Sequence, residues 1–216
     1  NFLTTTYNII KAADPDATVL HGSIFDTDSR STFFWERVYG ASPKFDIAAV
    51  QCTQSCDDEM KNIITKYSNK PVWVTDVSYL GDDETQARDL FKGYINAFGK
   101  GAQKIFYNKW GITSGGKGEL AALNTQTDKR KSYFALKTVI DRVGVFTSVE
   151  QISGGYKFQR IEGGKLKSTY AFLSAGNLPQ ALQGTIAITD YNGTTRTRQG
   201  AFNLFAGEVP SFVESF

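Results

Sequence analysis

Asp76 is the side chain in this sequence whose type and setting most strongly suggest chemistry. It follows a β-branched and aromatic run, Val72 to Thr75, at the point where a buried strand is predicted to end. An ionised group is costly to bury, so a carboxylate at such a strand tip is a candidate for catalysis or binding. Asp is also common at helix caps, and Asp76 could instead cap the helix predicted to begin near Asp82 or lie in solvent. The spacing leaves these alternatives open.

The cysteines and the histidine limit the other kinds of site. Cys52 and Cys56 stand in Cys-Thr-Gln-Ser-Cys, and we expect a short-loop disulfide if the chain works outside the cytoplasm, with two unrelated free thiols as the alternative. Because His21 is the only histidine, a zinc site would need carboxylates or another chain, and no metal site is expected. Asn192 opens an Asn-Gly-Thr glycosylation sequon, a pattern that also arises by chance.

Composition indicates a folded chain without nucleic-acid or membrane partners. The 216 residues are long enough to bury roughly 70% of the surface of the unfolded chain. The 24 basic and 22 acidic side chains nearly balance, so no basic surface for nucleic acid is expected. No apolar run reaches the roughly 18 residues that span a bilayer, and no phosphate-binding glycine loop predicts a cofactor. The chain opens at Asn1 rather than Met, which suits a processed or truncated product.

The hydrophobic periodicity alternates helix and strand in the first two thirds of the chain. It predicts strands over residues 18–22, 45–51, 72–75 and 104–107, and helices over residues 7–13, 33–39, 57–67, 82–99 and 132–143. Such long connections imply right-handed crossovers and a parallel sheet. Later, short strands joined by glycine-containing turns are predicted over residues 156–161, 168–173, 184–189 and 201–204, an antiparallel region. We therefore expect two domains, residues 1–148 and 149–216.

Four of these segments resemble the second half of the β/α-barrel retaining glycoside hydrolases, with family 39 and its relatives as the nearest match. They are Ile10-Lys-Ala-Ala-Asp-Pro-Asp-Ala-Thr-Val-Leu, Phe45-Asp-Ile-Ala-Ala-Val, Lys70-Pro-Val-Trp-Val-Thr-Asp and Lys104-Ile-Phe-Tyr. The tail, with Tyr133-Phe-Ala-Leu-Lys-Thr, Tyr156-Lys-Phe and Val209-Pro-Ser-Phe-Val-Glu, is similar to the accessory β-sandwich of those enzymes. The resemblance implies an α/β plus β fold: strands five to eight of a (β/α)8 barrel, followed by a small antiparallel β-sandwich.

The same resemblance implies a role for Asp76 and also departs from the family pattern. In the family the seventh strand ends in the nucleophilic Glu, and the matching residue here is Asp76, one methylene shorter. Ser78 replaces a Gly, and Gln51-Cys52-Thr53 replaces a phrase that contains His. Barrel strands one to four, with the Asn-Glu pair that supplies the acid/base, have no counterpart in the chain. Without that acid, we do not expect the chain alone to hydrolyse a glycoside.

Four further side chains would line the cleft of such a barrel. Trp110, just past strand eight, could be a platform on which a sugar ring stacks, or an ordinary loop-packing residue. Tyr79 could orient the Asp76 carboxylate or a sugar hydroxyl, or could be half-buried packing. Asn108 and Gln51, at the tips of strands eight and six, are the remaining polar candidates.

Two functions are compatible with these residues. One is a glycosidase-type enzyme acting on carbohydrate glycosidic bonds, of which this chain is the C-terminal part, with Asp76 as nucleophile and the acid/base supplied by another polypeptide. The other is a catalytically silent homologue that binds carbohydrate or serves as a structural component. In both, the expected partner is an N-terminal barrel half, either another chain or a second copy of this one, because a half barrel leaves open strand edges. The expected location is extracellular or at the cell surface.

Overall fold

The computed structural model describes residues 2–25, 29–53, 66, 69–108, 129–177, 185–199, 203–204 and 209–215. The chain forms two compact units, Asn1–Ser78 with Lys100–Asn108 and Tyr79–Gly99 with Lys109–Phe216. The chain therefore passes from the first unit to the second, back to the first and again to the second. The predicted domain boundary at residue 148 stays a prediction. Within the described ranges, no helix is both long and apolar enough to cross a membrane.

The first unit contains a four-stranded parallel sheet whose strands follow one another in chain order. Its elements are α1 (Phe2–Ala13), β1 (Ile24–Phe25), α2 (Ser29–Gly40), β2 (Ala48–Thr53), β3 (Val72–Ser78) and β4 (Ala102–Tyr107). This parallel sheet, together with the antiparallel sheet of the second unit, confirms the predicted mixed α/β plus β class. The helix predicted over residues 57–67 lies, apart from Lys66, outside the described residues.

The first strand differs from its prediction over residues 18–22. Only Leu20 pairs there, as an isolated bridge to Ile47, and the ladder resumes at β1. Between these points the backbone N–H of Ala49 donates to Nε2 of His21 at 3.3 Å. The His21 side chain thus accepts a hydrogen bond from a backbone N–H of β2 at the position where regular strand pairing is interrupted.

Asp46 joins α1 to the start of β2. Its Oδ2 accepts the backbone N–H of Val19 at 2.9 Å and lies 3.0 Å from the Lys11 ammonium, while its Oδ1 accepts the Tyr7 hydroxyl at 3.1 Å. The Val19 N–H, more than the two side chains, lowers the pKa of Asp46 below its ordinary value. This cluster lies at the amino end of the strands and therefore serves the fold.

The second unit is built on a six-stranded antiparallel sheet with two helices. Its elements are α3 (Asp83–Gly99), α4 (Lys131–Val143), β5 (Ser148–Ile152), β6 (Gly155–Glu162), β7 (Lys165–Phe172), β8 (Gly176–Asn177), β9 (Thr185–Asp190), β10 (Thr195–Gln199), β11 (Asn203–Leu204) and β12 (Ser211–Ser215). The sheet order is β10-β9-β12-β7-β6-β5, and β8 pairs with β11 separately. Phe91 of α3 packs on Phe212 of β12 with ring centroids 4.8 Å apart. That residues 149–216 form a β-sandwich stays a prediction.

Three strands of this sheet are absent from the sequence prediction, and each has a physical reason. β5 and β10 are edge strands with mainly exposed, polar residues, so they lack the apolar alternation that marks a half-buried strand. β12 contains Glu214, which suggests a surface segment. In the structure Glu214 Oε2 accepts from Arg142 at 2.5 Å and its Oε1 accepts from the Thr169 hydroxyl at 2.8 Å, so its charge is satisfied beside the core.

His21 is held neutral at the centre of an aromatic cluster in the first unit. The side chain is 4% exposed, and the rings of Trp35, Tyr39 and Phe45 lie within 6 Å of it. Because Nε2 accepts the Ala49 N–H, the ring proton is on Nδ1, which donates to the Gly22 carbonyl at 2.5 Å. Burial lowers the pKa of His21 below its ordinary value, so folding favours the neutral ring.

We predict that the first unit loses stability as the pH falls from 7 to about 5.5. A histidine in the unfolded chain has a pKa of about 6.5, and since the pKa of His21 is lower in the fold, the unfolded chain binds more protons in this interval. The stabilisation that neutral His21 provides is complete above the pKa of histidine in the unfolded chain and declines below it. Urea unfolding followed by tryptophan fluorescence measures it, since the Trp35 ring lies 5.0 Å from His21.

The matched variant is His21→Gln, which cannot titrate. It should be less stable than the wild type at pH 7 and should show little pH dependence between pH 7 and about 5.5, because the chain has no other histidine. Asp46, whose pKa is lowered, loses its contribution only nearer pH 4. If the free energy of unfolding of His21→Gln depended on pH as strongly as that of the wild type, His21 would not be the cause of the pH dependence.

Candidate functional site

Three of the predicted site residues meet at the carboxyl ends of β2, β3 and β4. Oδ2 of Asp76 accepts a hydrogen bond from Nδ2 of Asn108 at 3.0 Å and one from Nε2 of Gln51 at 3.3 Å. The backbone N–H of Asn108 donates to the Val77 carbonyl at 2.9 Å, which continues the pairing of β3 with the chain that follows β4. Consecutive parallel strands therefore bring three polar side chains to one edge of the sheet.

A β-bulge in β3 sets the direction of Asp76. From Val74 to Val77, β3 takes three steps while β2 takes two, from Val50 to Cys52, and β4 also takes two over the same interval. Thr75 is paired with no residue of β2 in the strand register. Val74 and Val77 are both fully buried although they lie three residues apart, which strict alternation does not allow. The extra residue thus keeps Asp76 off the face that Val74 and Val77 fill.

The structure corrects one expectation about Asp76 and decides against one alternative. β3 does not end at Asp76 but continues to Ser78, so the carboxylate lies within a bulged strand. Nor does Asp76 cap the helix that follows. Asp82 does so, because its Oδ1 accepts the backbone N–H of Thr85 at 2.8 Å, and this bond lowers the pKa of Asp82 below its ordinary value.

The hydrogen bonds to the Asp76 side chain involve one of its two oxygens. Among the described residues, both bonds go to Oδ2 and none to Oδ1. Asn108 is exposed and Gln51 is half-buried, and each amide also carries an oxygen that can accept from a hydroxyl. A carboxylate flanked by two amides offers the donors and acceptors that a polyhydroxylated ligand requires.

Aromatic side chains lie on the same sheet next to this group. The Trp73 ring is 6.0 Å from the Phe106 ring, and the Lys104 ammonium lies 4.2 Å from the Trp73 centroid. Phe106 is 48% exposed, whereas the sequence prediction gave it no role. The signal that identifies it is spacing, because residues 104, 106 and 108 alternate along β4 and the chain just after it. Trp73 is half-buried.

Tyr79 is not grouped with these residues. It belongs to the second unit, is 1% exposed and packs over Gly93 of α3, where any larger side chain would clash with the tyrosine ring. This placement is that of a core residue. Its predicted contact with a substrate stays a prediction.

The remaining predicted residues have more limited descriptions. Trp110 and Cys56 lie outside the described residues. Cys52 is 4% exposed in β2, and its disulfide with Cys56 stays a prediction. Asn192 lies in the turn between β9 and β10, where its backbone N–H donates to Oδ1 of Asp190 at 2.9 Å. Across the described ranges, no three His, Cys, Asp or Glu side chains converge as metal ligands would.

Comparison with known proteins finds solved structures that are similar to nearly the whole chain in fold. No family model matches, and no curated protein matches. The crystal structure of a GH30 endoxylanase from Clostridium papyrosolvens C71 aligns with 97% of this chain and 59% of its own, at a TM-score of 0.56 and 14% identity. A glucosidase from Croceicoccus marinus aligns with 98% of this chain and 62% of its own, at a TM-score of 0.51 and 12% identity. N2152 from Neocallimastix frontalis aligns with 98% of this chain and 63% of its own, at a TM-score of 0.58 and 14% identity.

These alignments concern the fold. At 12 to 14% identity they establish a glycoside hydrolase-like fold and do not support the expected link to family 39 in particular. The chain spans only 59 to 63% of the length of the three structures.

We predict that a second carboxylate at position 108 destabilises the chain. Asn108→Asp replaces the amide that donates to Asp76 with a like charge, at an expected cost of up to about 1 kcal/mol at pH 7. Asn108→Ser is the control, since it removes the amide and adds no charge. Urea unfolding of both variants at low and at high salt measures the difference, which should shrink as salt screens the repulsion between the two carboxylates. A difference that does not change with salt would show that charge repulsion is not its cause.

Proposed function

We propose that this chain is the nucleophile-bearing part of a glycosidase-like protein, with Asp76 as the carboxylate that attacks the anomeric carbon. The observation that carries the proposal is the arrangement of Asp76 between two amides at the carboxyl edge of a consecutive parallel sheet, within a glycoside hydrolase-like fold. In parallel α/β folds, ligands bind at this edge of the sheet. Trp110 remains the proposed platform for a sugar ring.

The proposed chemistry is the first half of a double displacement. Oδ1 of Asp76 forms a bond to the anomeric carbon while the bond to the leaving oxygen breaks, and the leaving group departs with the electron pair. A natural sugar leaving group also needs a proton. We assign that proton to a carboxylic acid on the segment that corresponds to barrel strands one to four, opposite Asp76.

The proposed partner is therefore the N-terminal half of a (β/α)8 barrel, as another polypeptide or a second copy of this chain. Two features support it. In the described sheet β1 and β4 are the edge strands, which parallel sheets rarely leave uncovered, and Phe106 is 48% exposed. The length of the aligned structures, of which this chain matches 59 to 63%, is consistent with such a segment.

We expect the purified chain to self-associate or to bind a separately produced N-terminal half in a stable complex. Light scattering coupled to size exclusion gives the mass of the species, and circular dichroism reports whether it is folded. Phe106→Ser should weaken the association, whereas Leu166→Ser, at another exposed apolar residue, should not. A fully folded monomer that binds no N-terminal half would contradict the proposed partner.

The alternative function is a catalytically silent protein that binds carbohydrate. One observation favours it: an aspartate is one methylene shorter than the expected glutamate, and a misplacement of about 1 Å can cost on the order of a hundredfold in rate. The two amides and the exposed aromatic ring would serve binding equally well. The two functions therefore share a site and differ in whether Asp76 reacts.

Covalent labelling distinguishes them without the missing acid. In 2,4-dinitrophenyl 2-deoxy-2-fluoro glucosides and xylosides of both anomeric configurations, the dinitrophenolate departs without protonation, and the fluorine slows hydrolysis of the product. We predict that the intact mass of the chain increases by one fluoroglycosyl group attached to Asp76. Asp76→Asn should abolish the labelling while retaining the fold, because the amide has nearly the same shape.

The outcomes separate the two functions. Labelling that is lost in Asp76→Asn supports the enzyme. Binding of gluco- or xylo-oligosaccharides without labelling supports the silent protein. Labelling at another residue, or neither labelling nor binding, contradicts the role assigned to Asp76.

The setting in which this function operates is also a proposal. We propose that the chain acts outside the cell or at its surface, with the disulfide between Cys52 and Cys56 formed and Asn192 available for glycosylation. Intact mass before and after reduction and glycosidase treatment tests both modifications.

A further inference from the structure

We propose that Thr75, supported by Ser23, is a positioning residue that holds the bulge in β3 and thereby directs Asp76 towards Gln51 and Asn108. The positioning itself is independent of any activity. Its catalytic consequence rests on the proposed function.

The Thr75 hydroxyl makes a hydrogen bond at the point where the ladder between β2 and β3 is interrupted. A bulge leaves one residue unpaired and disrupts the local backbone hydrogen bonds. The register between β2 and β3 shifts between Val50 and Gln51, and there the Thr75 hydroxyl donates to the Val50 carbonyl at 3.1 Å. The side chain of the unpaired residue thus bonds the neighbouring strand at the point where the ladder shifts.

The direction of the hydrogen bond between Ser23 and Thr75 follows from the bond that Thr75 makes to Val50. Oγ of Ser23 lies 2.6 Å from Oγ1 of Thr75. A carbonyl can only accept, so the single hydroxyl proton of Thr75 is used on Val50. Ser23 is therefore the donor to Thr75. The bonds from Ser23 to Thr75 and from Thr75 to Val50 thus link the segment before β1 to the bulge in β3 and to β2.

The bulge determines the direction of the next side chain, that of Asp76. A one-residue slip in a strand sends every following side chain to the opposite face. If the bulge closed, Asp76 would turn towards the buried face that contains Val74 and Val77, and its bonds to Gln51 and Asn108 would be lost. Because Thr75 precedes Asp76 directly, fixing the threonine hydroxyl limits this motion.

The test compares two substitutions at one position. Thr75→Val keeps the shape of the side chain and removes the hydroxyl, whereas Thr75→Ser keeps the hydroxyl and the bond to Val50. The hydrogen bond between Asp76 and Asn108 is 3.0 Å long. We expect it to be broken in a crystal structure of Thr75→Val and to be retained in one of Thr75→Ser. We expect labelling by the fluoroglycosides to slow by about 10- to 100-fold in Thr75→Val and to stay near the wild-type rate in Thr75→Ser.

Thr138→Val is the matched control for loss of stability alone. Thr138 likewise donates its hydroxyl to a carbonyl, that of Phe134, at 2.8 Å, but it is buried where Thr75 is half-buried, and it lies in α4. This variant should lose stability and keep the wild-type labelling rate. Ser23→Ala provides a milder perturbation of Thr75 if Thr75→Val does not fold, and it should slow labelling by a smaller factor.

The possible failures can be told apart. If the wild type is not labelled, the catalytic role of Asp76 fails, and the crystal structures alone test the positioning. If Thr75→Val keeps the 3.0 Å bond and the wild-type labelling rate, the positioning role is wrong. A slowed Thr138→Val would likewise overturn it, because general loss of stability would then explain the effect.

Discussion

The first unit depends on keeping one charge away from the buried face of a central strand. β3 is paired on both sides, and Val72, Val74 and Val77 fill one of its faces at no more than 3% exposure. Strict alternation would place Asp76 on that face, where an unpaired carboxylate costs several kcal/mol. The extra residue in β3 removes this conflict without shortening the strand, so the core and the polar edge coexist within seven residues.

Side chains satisfy backbone groups at three points in the described residues where regular pairing of this sheet is interrupted. Asp46 accepts the N–H of Val19 before the first bridge, His21 accepts that of Ala49 beyond it, and Thr75 donates to Val50 at the bulge. A buried peptide group without a partner costs about 1 to 3 kcal/mol. These polar residues therefore make irregular pairing possible in a unit whose core is otherwise aliphatic and aromatic.

Sequence reasoning predicted the elements in which periodicity reports packing directly. α3, predicted over residues 82–99, is found at Asp83–Gly99, and α4, predicted over residues 132–143, at Lys131–Val143. The prediction failed where the partner of a residue lies far along the chain. From the sequence Glu214 is expected at the surface, because the sequence does not show that Arg142 lies beside it. The meeting of Gln51, Asp76 and Asn108 follows from consecutive parallel strands. The bulge does not follow, because the pattern of apolar residues in β3 is also that of a strand that ends early.

The chain path through the two units has a consequence for how this protein can vary. β4 belongs to the first unit, yet it is joined to β3 only through residues 79–99 of the second. No single cut can leave both units whole, since a break at any point leaves at least one of them in two pieces. A single crossover between two such chains would therefore divide at least one of the units.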